Sequence, residues 1–282
     1  MTETPMLTPV LDVAGLSVTF PGTGGEQRVV DGLSFVHAGG RMALVGESGS
    51  GKSMTARALL GLVAPPGVVT ATRLRLDGND VLRLNESGWQ RLRGQGIGLM
   101  LQDPRHALDP VRRIGSQVEE GLRIHRHLGR AERRDRALAM LEAVGMAEAQ
   151  RAYRAYPHEL SGGMGQRAML AATLITEPRL LIADEPTSAL DLALREQVLE
   201  LIGAQVDSRG MALLLISHDL QQVAHHCEQV LVMHRGRLVE ALPASRLANA
   251  GHPYTRMLWH CRPSAATRGR PLPTLDTMEP PA

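Results

Sequence analysis

Lysine, cysteine and long apolar runs are all scarce in this 282-residue sequence, and each scarcity removes a class of protein. The two cysteines, Cys227 and Cys261, supply neither a disulfide framework nor a C-x-x-C metal pair, which suits a reducing compartment. No apolar run approaches the roughly 18 residues needed to span a bilayer, so a role at a membrane would require other chains to do the spanning. Residues 1–15 lack a basic segment followed by an apolar one and do not read as a signal peptide. The net charge is only +2, too weak a basic field to point to nucleic acid. There is no internal repeat. What remains is an ordinary globular composition, 43% hydrophobic and 21% charged, enough for one large domain or two modest ones.

Among the 31 lysines and arginines, Lys52 is the only lysine. It lies in the run Gly46-Glu47-Ser48-Gly49-Ser50-Gly51-Lys52-Ser53, a full G-x-x-x-x-G-K-S phosphate-binding pattern. Arginine serves everywhere else, so position 52 calls for a compact ammonium on a flexible stem rather than a wide planar fork. A pattern this short also arises by chance, so its surroundings decide. Met42-Ala43-Leu44-Val45 is a short buried strand leading into the loop, and Ser53 to Leu62 reads as a helix stopped by Pro65-Pro66-Gly67. In that context the loop N–H groups from Gly46 to Gly51 are expected to wrap phosphate oxygens, Lys52 to neutralise β and γ oxygens, and the Ser53 hydroxyl to ligate Mg²⁺.

Leu16, Val18 and Phe20 alternate with polar residues as a half-buried strand, and Leu33–Val36 and Leu74–Leu76 are further strand candidates. Residues from about 104 to 157 turn helical and arginine-rich, a pattern that a solvated helix face explains by default. Strands resume at Leu180–Ala183 and Leu213–Ile216, with a helix from about Ala193 to Ala204 between them. Apolar strands alternating with helices imply a parallel sheet covered on both faces, an α/β fold with helices inserted between its halves. Residues 262–282 are proline-rich and lack apolar periodicity, so they are expected to form a mobile tail.

Asp184 and Glu185 follow the strand Leu180–Ala183, at the end where open α/β sheets bind ligands. Asp184 is placed to hold Mg²⁺ through water and Glu185 to polarise an attacking water. Taken alone, the pair is equally an ordinary strand-to-loop junction.

With these parts in order, residues 10–260 resemble the ATP-binding cassette (ABC) ATPases. Leu160-Ser161-Gly162-Gly163-Met164-Gly165-Gln166-Arg167 is similar to the family signature. The resemblance implies a P-loop NTPase (RecA-like) core with an antiparallel β subdomain and a helical subdomain inserted at about 104–166, within an ATPase domain of residues 1–261. It implies that Ser161, Gly162 and Gly163 serve the γ-phosphate of a nucleotide held by the opposite subunit. It further implies that Gln102 is the Q-loop glutamine, acting in catalysis and at the metal, that Asp191 is the D-loop aspartate and that His218 is the switch histidine on the γ-phosphate. Phe20 falls where an aromatic stacks on adenine, although its alternation fits a core residue equally well, and a lone His218 is more often a core histidine. ATP and Mg²⁺ are the implied ligands. Gly165 departs from the family, which carries a longer residue there; glycine costs a helix about 1 kcal/mol relative to alanine, so weaker local stability with ATPase function retained is expected.

Gln102-Asp103-Pro104-Arg105 with Arg113-Ile114-Gly115, and His252-Pro253-Tyr254-Thr255-Arg256 with Gly269-Arg270-Pro271, resemble the peptide and nickel importer branch. This implies two permease subunits, a second identical or related ATPase, an extracytoplasmic substrate-binding protein, no nucleic acid, and a peripheral place on the cytoplasmic face of the membrane. Several dipeptide and oligopeptide members continue into a cysteine-rich stretch that is not found here, which excludes a metal cluster at that point and leans slightly to nickel or metal chelates. Two rivals are a soluble cassette acting on nucleic acid or ribosomes, and an idle regulatory cassette. The first would need a coiled-coil insert, zinc cysteines, a second cassette or a basic face; Lys52, Glu185 and His218 argue against the second.

Overall fold

Alternating burial builds the first sheet. In the computed structural model, which describes residues 8–22, 25–188 and 190–261, β1 (Leu11–Gly22) pairs antiparallel with β2 (Gly25–His37) and buries Leu16 and Val18 completely. There follow β3 (Arg41–Val45), α1 (Lys52–Leu59), β4 (Val68–Thr70), β5 (Arg73–Leu76), β6 (Asn79–Asp80), α2 (Glu86–Gln95) and β7 (Ile97–Met100). Then come α3 (Pro104–Ala107), α4 (Ile114–His125), α5 (Arg130–Ala143), α6 (Ala149–Arg154) and α7 (Gly162–Leu174). The chain closes its described part with β8 (Leu180–Asp184), α8 (Leu192–Arg209), β9 (Ala212–Ser217), α9 (Leu220–His226), β10 (Gln229–His234), β11 (Arg237–Pro243) and α10 (Pro253–His260).

The strands form two sheets. One runs β2-β1-β5-β6, with β4 on β1, and its pairings are antiparallel. The other runs β11-β10-β3-β9-β8-β7 and is parallel except for the β10–β11 hairpin. The period of two along a strand sends alternate residues to opposite faces of this second sheet. Ala43, Val45, Leu181, Ala183, Leu213 and Leu215 pack with Ile114, Val118 and Leu141 of the helices between β7 and β8 and with Val198 of α8. Met42, Leu44, Leu180, Ile182, Leu214 and Ile216 pack with Leu16, Val18 and Leu74 of the antiparallel sheet. Apolar surface on both faces is why these strands read as unbroken hydrophobic runs.

Several boundaries differ from the sequence expectation. Helix α1 ends at Leu59, not Leu62, because Gly61 takes a left-handed φ of +61° against the Trp89 ring, well before the prolines. Helix α8 runs five residues past Ala204, capped by Asp191 in front and by left-handed Gly210 behind. Strands β7, β10 and β11 were not anticipated. The arginine-rich stretch resolves into separate short helices, where Arg123 pairs with Glu120, Arg133 with Glu119 and Arg136 with Glu132. The expected tail at 262–282 lies outside the described residues, as does Ala189.

Candidate functional site at the strand ends

β3 delivers the chain directly into the glycine loop, and α1 begins at Lys52 with no side chain capping its first turn. Uncapped first-turn N–H groups and the positive end of the helix dipole make a seat for phosphate. Two glycines are there because backbone crowds them. A β-carbon on Gly46 would fall inside the Met233 carbonyl of β10, and one on Gly51 would lie 2.6 Å from the Val29 carbonyl oxygen. The β10–β11 turn braces the loop from behind, Gly236 N–H donating to the Ser50 carbonyl at 3.0 Å.

Lys52 is only 5% exposed. Its ammonium donates to the Gly46 carbonyl at 2.9 Å and the Glu47 carbonyl at 2.8 Å. Burial pulls its pKa below the usual lysine value, and the Glu185, Asp184 and Glu47 carboxylates push the other way. The Ser53 hydroxyl donates to Asp184 Oδ1 at 3.0 Å. Burial raises the Asp184 pKa, and the Ser53 hydrogen bond only partly offsets this. A part-buried carboxylate beside a hydroxyl is a hard oxygen donor pair, the chemistry that suits Mg²⁺.

Glu185 lies at the focus of the site. Its φ of +46° is left-handed, a conformation that costs a non-glycine residue roughly 1–2 kcal/mol, and its N–H is held by the Ile216 carbonyl at 2.9 Å. Its two oxygens meet different partners: Oε1 lies 3.2 Å from His218 Nδ1, and Oε2 accepts from Gln102 Nε2 at 3.4 Å. The hydrogen bond from His218 holds the Glu185 pKa down, and the same bond lifts His218 above its ordinary value. Gln102, Asp184–Glu185 and His218 follow β7, β8 and β9, so the parallel register gathers residues far apart in sequence at the carboxyl edge.

The other expected residues stand elsewhere. Ser161 caps α7, accepting from the Met164 N–H at 3.4 Å, and Gly162 begins that helix with Gly163 buried behind it. These three begin α7, which packs on α3, α4 and α5 on the helical side of the molecule. Asp191 caps α8 through the Leu194 N–H at 3.0 Å. Phe20 is half-buried against the antiparallel-sheet core, its ring filling the space that a side chain on Gly67 would need. Gly165 is a tight spot: its β-carbon would sit 3.3 Å from Pro104 Cβ, so the glycine admits α3 against α7. Sequence reasoning missed Gln166, whose buried side chain donates to the Gln102 carbonyl at 3.2 Å and ties α7 to the strand-end cluster. It also missed Tyr254, whose hydroxyl reaches the glycine loop from α10. Neither contact has a local signal, since each joins segments distant in sequence.

The sequence profile of the ABC transporter family matches residues 30–188. The chain is 41% identical to a probable peptide ABC transporter ATP-binding protein, y4tR, of Sinorhizobium fredii, over 96% of this chain and 81% of that protein. It is 38% identical to the dipeptide transport ATP-binding protein DppD of Escherichia coli, over 96% of this chain and 84% of that protein. Among solved structures, the ATP-binding cassette MJ0796, a dimer in a post-hydrolysis state bound to ADP and Pi, matches with a TM-score of 0.74 at 23% identity, covering 83% of this chain and 98% of that one. CbiO1 of Clostridium perfringens, part of the ABC transporter complex cbiONQ, matches with a TM-score of 0.73 at 25% identity, covering 86% of this chain and 91% of that one.

Proposed function

This chain belongs to the ABC transporter family, and from that premise we propose that it is the ATP-hydrolysing subunit of an importer whose cargo is peptides. The observation that carries the chemistry is the Glu185 carboxylate, held by Gln102 and His218 beside the Lys52 loop. Lys52 and the loop N–H groups other than those of Glu47 and Ser50, which the Tyr254 hydroxyl and the Glu47 carbonyl engage, hold the phosphates, with Lys52 as the point charge on the β and γ oxygens. Glu185, kept ionised by His218, orients and polarises the attacking water, while Gln102 and His218 meet the γ-phosphate side of the site. Ser53 and Asp184, with Gln102, would hold Mg²⁺, which when bound neutralises charge developing on the phosphate oxygens. Phe20 is the candidate support for the adenine ring.

Ser161–Gly163 begin α7 among the helices α3, α4 and α5, and the reading they support is a site completed by a second ATPase: each α7 start meets the nucleotide on the opposite subunit, with Asp191 near the junction. Permeases would dock on the helical side. A cleft of about 520 Å³ lined by Pro104, Arg105, Leu108, Pro157 and Leu190 lies there, and Val111 nearby is 79% exposed. Among the described residues no helix is long and apolar enough to cross a membrane. The transport role in the relatives' names supports a peripheral place on the cytoplasmic face of the membrane. The names of the relatives support peptides over nickel, against the slight lean drawn from the missing cysteine stretch. The complex, reconstituted in vesicles with its permeases and extracytoplasmic binding protein, should hydrolyse ATP faster when peptide is supplied and accumulate that peptide. Stimulation by nickel or a nickel chelate, with none by peptides, would overturn the cargo assignment.

A further inference from the structure

Tyr254 is only 5% exposed, yet it carries a polar hydroxyl into the interior. Its ring stacks on His234 at the end of β10, with 4.0 Å between centroids and 6° between planes. The start of α10 is itself pinned. Tyr254 N–H donates to His252 Nδ1 at 3.2 Å, Arg256 donates to the Gly251 carbonyl at 2.6 Å, and Gly251 N–H donates to Glu240 of β11 at 2.8 Å. So fixed, the Tyr254 hydroxyl accepts from the Glu47 backbone N–H at 3.4 Å. Burial and the Glu47 carboxylate keep the phenol protonated far above neutral pH. Glu47 is thereby held on both sides, its N–H by Tyr254 and its carbonyl by the Lys52 ammonium at 2.8 Å.

We propose, resting on the nucleotide site described above, that Tyr254 is a positioning residue for nucleotide binding: it fixes the Glu47 backbone so that the Glu47 carbonyl holds Lys52 toward the phosphates. Tyr254 touches no reacting atom and acts through the loop. The consequence is that α10, 200 residues downstream of the loop, sets part of the affinity for ATP. Anything that shifts this helix off β10 weakens nucleotide binding.

Tyr254→Phe keeps the ring and its stack on His234 while deleting the hydroxyl. In the full chain, the Kd for a fluorescent ATP analogue and the KM for ATP should rise about threefold to tenfold, the equilibrium worth of one hydrogen bond. The rate at saturating ATP should change by less than about twofold, and the melting temperature should fall by only a few degrees, since the Glu47 N–H loses a partner worth about 0.5–1.5 kcal/mol without a cavity being opened. A merely structural residue would lower the melting temperature and the active fraction while leaving KM unchanged, so the separation of KM from kcat is the readout that decides. The Glu47 amide should exchange its hydrogen slowly in the unmodified chain and faster in the variant. Equal ATP affinity in the two proteins would overturn the proposal and leave the nucleotide site intact. Failure of the unmodified chain to bind ATP would overturn the site and the proposal together. Should the variant not fold, rapid exchange of the Glu47 amide in the unmodified chain would overturn the proposal, and slow exchange would support it.

Discussion

Lys52→Arg preserves the charge that the rest of the chain already favours and changes only its shape. The native ammonium is nearly enclosed and reaches two carbonyls one residue apart, at 2.9 and 2.8 Å. A guanidinium is planar and wider, and its donors diverge in a fixed fork, so it cannot meet both carbonyls and a phosphate from the same point. One charge-assisted bond to phosphate is worth roughly 1.5–3 kcal/mol, and a buried carbonyl left unpaired costs about 1–3 kcal/mol more. Taking the phosphate contact alone, affinity or turnover should fall by about one to two orders of magnitude. The assay is phosphate release against ATP concentration, with a thermal melt to confirm that the variant is folded. Hydrolysis at the unmodified rate and KM would refute the reasoning that this lysine is required for its geometry.

The remaining predictions concern the signature helix and the pair at the strand ends. Gly165→Arg regains about 1 kcal/mol of helix propensity but forces a side chain out from a β-carbon 3.3 Å from Pro104, an overpacking cost of about 1–3 kcal/mol, so the melting temperature should drop by at most a few degrees with no gain in turnover. Sharply higher turnover would show that the glycine limits the enzyme. The His218–Glu185 contact carries a definite pH signature. His218 is raised above 6.5, so its contribution to stability is fully present below that pH and is lost as pH rises through the folded value. Glu185 is lowered below 4.5, so its contribution is present above that pH and is lost as pH falls through the folded value. The melting-temperature gap between the unmodified chain and His218→Ala should therefore be widest between about pH 4.5 and 6.5 and shrink towards pH 9; a gap independent of pH would contradict the pairing.

Strands β3, β8 and β9 are legible because each is a run of consecutive apolar residues buried on both faces, and the α/β class follows from them. The neighbouring β7 is harder to read. Gly98 breaks its apolar run, and the reason for that glycine, a Thr173 methyl 2.8 Å from where its β-carbon would be, lies on α7. Strand β10 carried the signal in Val230-Leu231-Val232-Met233, as apolar as β8, and was missed for want of a motif at its end. At the site, Lys52, Asp184 and Glu185 could be picked out by type and spacing, because they stand where strands run into loops, whereas Gln102 and His218 are legible only through the family resemblance. The bracing of the loop by Gly236 and Tyr254 could not, since both contacts depend on how the β10–β11 hairpin and α10 fold back over the loop.

The central claim is that Glu185 drives hydrolysis of ATP held at the Lys52 loop, and phosphate release from Glu185→Gln tests it most directly. The substitution keeps the size of the side chain and its contact with Gln102, and it removes the carboxylate that His218 supports. The expected result is an ATP-bound closed dimer with negligible turnover. Phosphate release at the normal rate would contradict the account.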